Sequence, residues 1–182
     1  GPLTVLPCAP LAGTYTVDPG APFAGTNFQT MNQVAVALQC GISAPVVVDM
    51  AAGNTFNEQV IFSEVTGASA VNTITFNGNG DTVTFNATVS ADRHTIRMDG
   101  ADYFRYNNLV VETSSPAGFG FAMHLYNNTN STNNNQFTSC TFLASITTTN
   151  FGSCAFAVSG SLTSATGSSL VANDSNIVDS CI

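Results

Sequence analysis

Three stretches of this 182-residue chain share one pattern, and this internal repeat constrains the fold more than any other feature. In each stretch a polar residue and one spacer precede a large apolar residue, and a second large apolar residue follows after four further positions. The first apolar residues are Phe104, Phe137 and Ile177, and the second are Leu109, Phe142 and Ile182. Intervals of 33 and 40 residues fit the coils of a solenoid enlarged by loops. In this alignment Ile182 lies inside a coil, so we expect further coils or another docked chain to cover that end.

Short apolar runs separated by Gly, Asn, Asp and Ser fill the chain from Pro45 onward and predict short strands. A second amphipathic helix is missing, which excludes a doubly wound α/β sheet and leaves a β-sandwich or a solenoid. The repeat favours the solenoid, and the Asn-rich stretch 127–135 is predicted as a turn or loop, with disorder as the alternative. The predicted strands are residues 14–17, 46–49, 59–62, 73–76, 82–85, 95–98, 109–112 and 122–126.

One segment has the periodicity of an amphipathic helix. Thr26 and Gln29 have the spacing of a capping box at its start, and Gly41 is placed to end it. We therefore divide the chain into an entry segment at 1–25, a capping helix at 26–41 and β-solenoid coils at 42–182. The apolar stripe of this helix consists of Phe28, Met31, Ala35 and Leu38.

Charge limits the partners of the chain. Lysine is absent, the cations are Arg93, Arg97 and Arg105, and eleven acidic residues give a net charge of -8. Nucleic acids and anionic membrane surfaces both require basic patches, so neither is an expected partner. Because only 8% of residues are charged, Asn, Thr, Ser and Gly must fill the outer positions, which suits a flat sheet that faces carbohydrate. No apolar run approaches the ~20 residues that span a bilayer, so we expect no membrane insertion.

The five cysteines lack the paired spacing of a zinc or redox site. Cys8 and Cys40 flank the entry strand and the helix, and we predict a disulfide between them, as suits a secreted protein. The states of Cys140, Cys154 and Cys181 stay open. We predict no metal ion and no cofactor.

Four stretches near the start carry a family resemblance: Phe28-Gln-Thr30, Val34-Ala-Val-Ala-Leu38, Pro45-Val-Val-Val48 and Gly53-Asn-Thr-Phe-Asn-Glu58-Gln-Val60. Together they resemble the opening of the pectin-lyase-like superfamily. In that superfamily a helix caps the solenoid, and a strand, a glycine turn and a Tyr/Phe-x-Glu-x-Val strand make the first coil. The resemblance implies an all-β fold, a right-handed parallel β-helix with one N-terminal capping α-helix.

Two further stretches, Cys40-Gly-Ile-Ser-Ala-Pro-Val and Val65-Thr-Gly-Ala-Ser-Ala-Val-Asn-Thr-Ile-Thr-Phe76, are similar to β-helix modules of large Bacteroidota surface proteins exported by type IX secretion. The resemblance covers roughly residues 13–145 and is more specific for fold than for function. The resemblance implies a secreted or cell-surface location. Our leading hypothesis is a non-catalytic structural or adhesive module, in which the solenoid presents a face to carbohydrate or to another surface protein.

The catalytic residues of related pectin methylesterases have no counterparts here. Phe121 stands where the family has a Gln, and the first catalytic Asp falls near Thr147. No acidic residue lies between Glu112 and Asp174, and no Arg follows Arg105. Ester hydrolysis of this type needs a carboxyl pair and a cation, so we predict no catalytic residue.

Lyase and hydrolase chemistry is no better supported. A lyase of this fold needs a cationic base and a calcium-binding acidic cluster, whereas the densest acidic pair, Asp99 and Asp102, has the spacing of a turn. A hydrolase needs two carboxylates about 5–9 Å apart, and nothing in the spacing of Asp99 and Glu112 requires this. The alternative function is a fragment of a polysaccharide-active lyase, esterase or hydrolase.

Strand alternation predicts one polar surface patch. If Ile96 and Met98 point inward, Arg97 and Asp99 point outward, and the next coil places His124 and Tyr126 beside them. Together these four residues would form a polar and aromatic patch of the kind that binds sugars, and they are the candidate ligand-binding residues. A solvated ladder in which Arg97 and Asp99 neutralise each other is the favoured interpretation.

Two short motifs suggest other roles. Asp81-Thr82-Val83 matches the Asp-Ser/Thr-aliphatic pattern of Bacteroidota O-glycosylation, which makes Thr82 a candidate acceptor; an ordinary strand start is the alternative. The run Thr147-Thr-Thr149 suggests ice binding, but regular Thr-x-Thr recurrence between coils is missing.

Overall fold

A computed structural model of the chain describes residues 8–91, 93–113, 119–144 and 152–182. Three parallel sheets wind into an all-β, right-handed β-helix of about four turns, as the sequence predicts. One helix, α1 (Met31–Leu38), is present in these ranges. The strands are β1 Leu11–Val17, β2 Asn27–Phe28, β3 Ile42–Met50, β4 Thr55–Asn57, β5 Val60–Ser63, β6 Ile74–Asn77, β7 Thr82–Phe85, β8 His94–Asp99, β9 Phe104–Asn107, β10 Val110–Thr113, β11 Gly120–Tyr126, β12 Gln136–Thr138, β13 Thr141–Ala144, β14 Ser153–Ser159 and β15 Ile177–Asp179.

Each coil contributes one strand to each of three sheets. The long sheet has the order β15-β12-β9-β6-β3-β1-β2, the second sheet β13-β10-β7-β4 and the third sheet β14-β11-β8-β5. Alternate residues of strands β3 to β13 point into one shared apolar core, whereas all three residues of β15 are exposed. Strand β1 pairs with β3 and buries Val17 completely, so the entry segment contributes to this core.

An aromatic stack runs along the core under the long sheet. The Tyr106 ring lies 5.2 Å from the Phe76 ring at 12° and 5.3 Å from the Phe137 ring at 2°, measured between centroids. All three side chains are fully buried, and the Tyr106 hydroxyl donates to Met98 Sδ at 3.3 Å. Stacked pairs of this kind add about 0.5–1.5 kcal/mol each beyond the burial of their area.

The register of this stack corrects the sequence alignment. Phe137 pairs with Tyr106 and with Val178, whereas the alignment matched Phe137 to Phe104 and Ile177. The alignment was wrong because it assumed that inward positions are always apolar. The residue two positions before Phe137, Asn135, continues the column of Phe104 inside the core.

Asn135 can occupy this buried position because its polar atoms are paired. Its Oδ1 accepts from the backbone N–H of Phe104 at 2.8 Å, and its Nδ2 donates to the Ala101 carbonyl at 2.9 Å. A buried amide that makes both bonds avoids the penalty of desolvated polar groups, so a polar residue fits where the pattern required an apolar one.

The corrected register also changes the assigned neighbour of the last residue, Ile182. Ile182 donates from its N–H to the Cys140 carbonyl and accepts from the Phe142 N–H, so it lies beside Thr141 and not at the position of Phe142. Its side chain is 88% exposed, and Ile177 and Val178 on β15 are about half exposed. The expectation that further coils or another chain cover this end stays a prediction.

The helix begins four residues later than the sequence indicated. Its N-cap is Thr30, whose Oγ1 accepts from the Gln33 N–H at 3.2 Å. The Thr26 capping box is wrong because Asn27 and Phe28 are extended and form β2 against β1. The helical residues end at Leu38, and Gly41 follows in the left-handed region at φ 81°, in line with its predicted role as a stop.

Two tertiary links fix the helix, one to the entry segment and one to the first coil. Cys8 and Cys40 form a disulfide with their Cα atoms 5.4 Å apart. At the other end of the helix, the Glu58 carboxylate accepts from the backbone N–H groups of Met31 and Asn32 at 3.1 and 3.0 Å and from Asn32 Nδ2 at 2.9 Å. A carboxylate is favoured there because a helix N-terminus presents unpaired N–H groups and a positive dipole end.

Replacing Glu58→Ala removes this carboxylate and is expected to lower the free energy of unfolding by about 1–2 kcal/mol, measured by urea denaturation. The matched control is Glu64→Ala, because Glu64 is exposed and, within the described part of the chain, its carboxylate accepts from a single donor, Asn130 Nδ2 at 3.1 Å. The control should change stability by about 0.5 kcal/mol or less. Equal losses in the two variants would contradict the capping role of Glu58.

Candidate functional site

The four residues of the predicted patch lie together on the third sheet. In the β8–β11 register Arg97 is beside His124 and Asp99 is beside Tyr126. The Arg97 guanidinium is 3.5 Å from the Asp99 carboxylate, and its central carbon is 5.6 Å from the centroid of the Tyr126 ring. Arg97 therefore joins the carboxylate and the aromatic ring into one cluster.

His124 is not exposed, so the sequence-based expectation is wrong for this residue. Its side chain is 1% exposed although it alternates with the core residues Met123 and Leu125. The imidazole packs edge-on against the rings of Phe121 and Tyr126 at 5.0 and 5.5 Å. Alternation predicted the direction of the side chain, but it could not predict that the outer side of this sheet is covered here.

Burial sets the charge of the two histidines. It lowers the pKa of His124 to about 4, with Arg97 adding to the decrease and the Ser159 carbonyl, 3.2 Å from Nε2, opposing it. Burial also lowers the pKa of His94 to about 3, and Arg97 and His124 contribute to that decrease. Both imidazoles are therefore neutral at pH 7, and the patch holds one cation and one anion.

Most polar groups of the patch are already occupied. Arg97 faces Asp99 and Tyr126, and the Tyr126 hydroxyl accepts from Asn128 Nδ2 at 2.9 Å. The side chains of Arg97 and Asp99 are only 14% and 29% exposed. A ligand would have to compete with these internal contacts.

A groove on the outer face of the long sheet is more open, and the sequence analysis did not identify it. Its volume is about 230 Å³. It combines one aromatic ring, one cation and several amides or hydroxyls. The groove is lined by Ala70, Tyr103, Arg105, Asn134, Asn135, Gln136, Ser175 and Ile177.

Arg105 is the charged group of this groove. Its Nη1 donates to the carbonyls of Phe104, at 3.0 Å, and Asn134, which fixes the guanidinium at the groove wall. Within the ranges that the structure describes, Arg105 makes no ion pair with a carboxylate. Its charge is therefore more available to a ligand than that of Arg97.

The surface beside the groove is a polar ladder along the long sheet. Thr75, Arg105 and Gln136 occupy matching outer positions in consecutive coils. In the neighbouring column Asn77 Nδ2 donates to Asp49 Oδ1 at 2.6 Å, and Asn107 Nδ2 donates to Asn77 Oδ1 at 3.0 Å. Polar residues two positions apart in β6, β9 and β12 are the sequence signal for this face, which becomes visible only in the correct register.

Thr82 is the outer residue of β7 between two buried residues, Asp81 and Val83, which are 1% and 0% exposed. Asp81 Oδ1 accepts from the Asn54 N–H at 2.8 Å and so helps to hold the neighbouring coil. A transferase could not contact either flanking side chain in the folded chain, and O-glycosylation of Thr82 stays a prediction.

The other residues and motifs singled out in the sequence form no further site among the described residues. In the described part of the chain, no three His, Cys, Asp or Glu residues are grouped as metal ligands, and no helix is long and apolar enough to cross a membrane. Asp102 accepts from the Asn133 N–H of the next coil, and Phe121 is fully buried. Thr147 and the Thr run that follows it lie outside the described residues.

No family model, no curated protein and no solved structure matches this chain.

The neutral histidines predict a pH dependence of stability. Their folded pKa values lie below the unfolded value of about 6.5, so the unfolded state binds more protons and stability falls as the pH drops from about 6.5 towards 4. Between pH 7.5 and 5 each histidine should lower the free energy of unfolding by up to about 2 kcal/mol. Urea denaturation at the two pH values measures this loss.

The variant His124→Gln should show roughly half of the wild-type loss between these pH values, because His94 remains. His94→Gln is the matched variant and should retain the part of the stability loss that is due to His124. A His124→Gln profile parallel to that of the wild type would show that His124 is not buried in its neutral form.

Proposed function

We propose that this chain is a non-catalytic, carbohydrate-binding module of a secreted or cell-surface protein, and that the groove on the long sheet holds the sugar. Arg105 is the main support for this proposal: it is a backbone-anchored guanidinium that pairs with no carboxylate of the described residues, and it lies beside Tyr103 and Gln136 in an open groove. The proposal differs from the sequence-based one in the location of the binding face.

The groove has the chemical groups that sugar recognition uses. An aromatic ring packs against the apolar C–H face of a pyranose, while planar side chains such as Arg, Gln and Asn bond pairs of hydroxyls. Arg105 retains guanidinium donors beyond Nη1 for a hydroxyl or for a single carboxylate. The net charge of -8 disfavours long polyanions, so we propose a neutral or sparsely charged oligosaccharide.

The rigid framework supports binding with little loss of entropy. Tyr103, Arg105 and Gln136 are carried at or beside strands β9 and β12, which pair along the long sheet, and the backbone beneath them does not need to order when a ligand arrives. A repeating polar ladder also suits a polymer, because successive coils present successive contacts along one direction.

We further propose that the chain belongs among pectin-lyase-like β-helices and comes from a Bacteroidota surface protein exported by type IX secretion. The parallel β-helix with its N-terminal helix supports the superfamily, and the Cys8–Cys40 disulfide supports an oxidising compartment.

The second candidate binding location is the Arg97, Asp99 and Tyr126 patch, which the half-buried ring of Tyr126 favours.

A glycan array followed by calorimetry with the best ligand tests the proposal. The variants Tyr103→Asn and Arg105→Gln should each weaken binding at least about tenfold. Asn is chosen because Tyr103 has φ 63°, a left-handed conformation that Asn tolerates. Thermal unfolding should verify that both variants are folded.

Arg97→Gln is the charge-matched control and should bind like the wild type. A loss confined to Arg97→Gln would move the site to the third sheet, and the groove assignment would be wrong. Failure of the folded wild type to bind any glycan would reject the carbohydrate proposal itself.

A further inference from the structure

Two cysteines without a disulfide partner lie at the same corner of consecutive coils. Cys140 follows Ser139 and Cys181 follows Ser180, and both serines are in the left-handed region, at φ 55° and 54°. The Ser139 N–H donates to the Asp179 carbonyl at 3.0 Å, which stacks the two corners directly. Because the two corners have matching φ angles and stack in register, the two Cβ atoms are expected to point in the same direction.

The two side chains are in contact. Cys181 Sγ lies 3.3 Å from the backbone nitrogen of Cys140. The two thiols also sit in equivalent surroundings, since Cys140 Sγ is 3.4 Å from the Tyr106 carbonyl and Cys181 Sγ is 3.5 Å from the carbonyl of its register partner Phe137. Paired strands lie about 4.8 Å apart, within the range of Cα separations that a disulfide spans. Parallel Cα–Cβ bonds leave the two Cβ atoms about 4.8 Å apart as well, a few tenths of an ångström more than the ~3.5–4.5 Å that a disulfide spans. Rotation about χ1 together with a small shift of the exposed last coil therefore brings one sulfur to the other.

We propose that Cys140 and Cys181 form a second disulfide, which fastens the last described coil to the one before it. This site is independent of carbohydrate binding. Cys154 is not its partner, because Cys154 lies on β14 in the third sheet with its Sγ 3.1 Å from the Phe156 carbonyl.

An external disulfide such as oxidised glutathione can oxidise the pair in two steps. The solvent exposure of the two thiols decides which of them reacts first. The Cys181 thiolate, on the more exposed side, attacks the oxidant and forms a mixed disulfide, and one glutathione thiolate leaves. The Cys140 thiolate then attacks Cys181 Sγ and expels the second glutathione. Two protein thiols lose their protons, one S–S bond forms, and the oxidant is reduced to two thiols.

Cys140 is suited to the second step and not to the first. It is 1% exposed, and burial raises the pKa of its thiol to about 11, with the neighbouring Cys181 adding to the increase. A buried thiol of this kind reacts slowly with a solution oxidant but sits directly against a mixed disulfide on Cys181.

Non-reducing peptide mapping of the full chain tests the proposal. The chain is incubated with oxidised glutathione, free thiols are alkylated in denaturant, and the protein is digested with chymotrypsin. Trypsin is unsuitable because no Lys or Arg lies between Arg105 and Ile182. We expect one linked pair of peptides that contain Cys140 and Cys181, about 2 Da lighter than the reduced pair, with Cys154 alkylated.

Cys154→Ser is the matched control and should form the same link, whereas Cys140→Ser should leave Cys181 alkylated. The oxidised wild type should also unfold several degrees above the untreated chain, a shift that Cys140→Ser lacks. Alkylation of both Cys140 and Cys181 while the Cys8–Cys40 bond persists would overturn the proposal. A link to Cys154, a link between two chains or an unchanged unfolding temperature would overturn it as well.

Discussion

Parallel backbone pairing between consecutive coils determines which side chains of this solenoid become neighbours. Each strand hydrogen-bonds to its counterpart one coil away, so a residue lies about 4.8 Å from the residue in register with it. Side chains therefore form columns, and a column is stable only if its members suit one another. The aromatic stack of Phe76, Tyr106 and Phe137 is the apolar form of such a column, and the amide ladder of Asn77 and Asn107 is the polar form.

The architecture could be predicted from sequence because it depends on patterns that tolerate small errors. All of the predicted strand segments overlap strands of the structure, although several bounds move by one or two residues, and the helix lies inside its predicted segment. The register could not be predicted, because successive coils have lengths of 28, 30, 31 and 41 residues, and one inward position holds Asn135. A polar core residue is compatible with the fold only through its bonds to Phe104 and Ala101, which the sequence does not show.

The same limitation explains the outcome for the candidate sites. Alternation along β8 and β11 correctly brought Arg97, Asp99, His124 and Tyr126 together, since this prediction needs only the local register of two strands. It missed the burial of His124, because the edge-on packing of the imidazole against Phe121 and Tyr126 and the approach of the Ser159 carbonyl do not follow from the alternation of side chains along a strand. The groove on the long sheet was missed for a different reason. Tyr103 and Gln136 meet across a coil of 31 residues, and the sequence alignment placed that coil two residues out of register.

The most direct test of this account is a nuclear Overhauser spectrum of the aromatic side chains in the folded chain. The described register predicts ring-to-ring contacts of Tyr106 with both Phe76 and Phe137, whose centroids lie 5.2 and 5.3 Å away. Contacts of Phe137 with Phe104 in place of Tyr106 would instead support the register predicted from the sequence repeat. That result would contradict the placement of both the core stack and the polar groove.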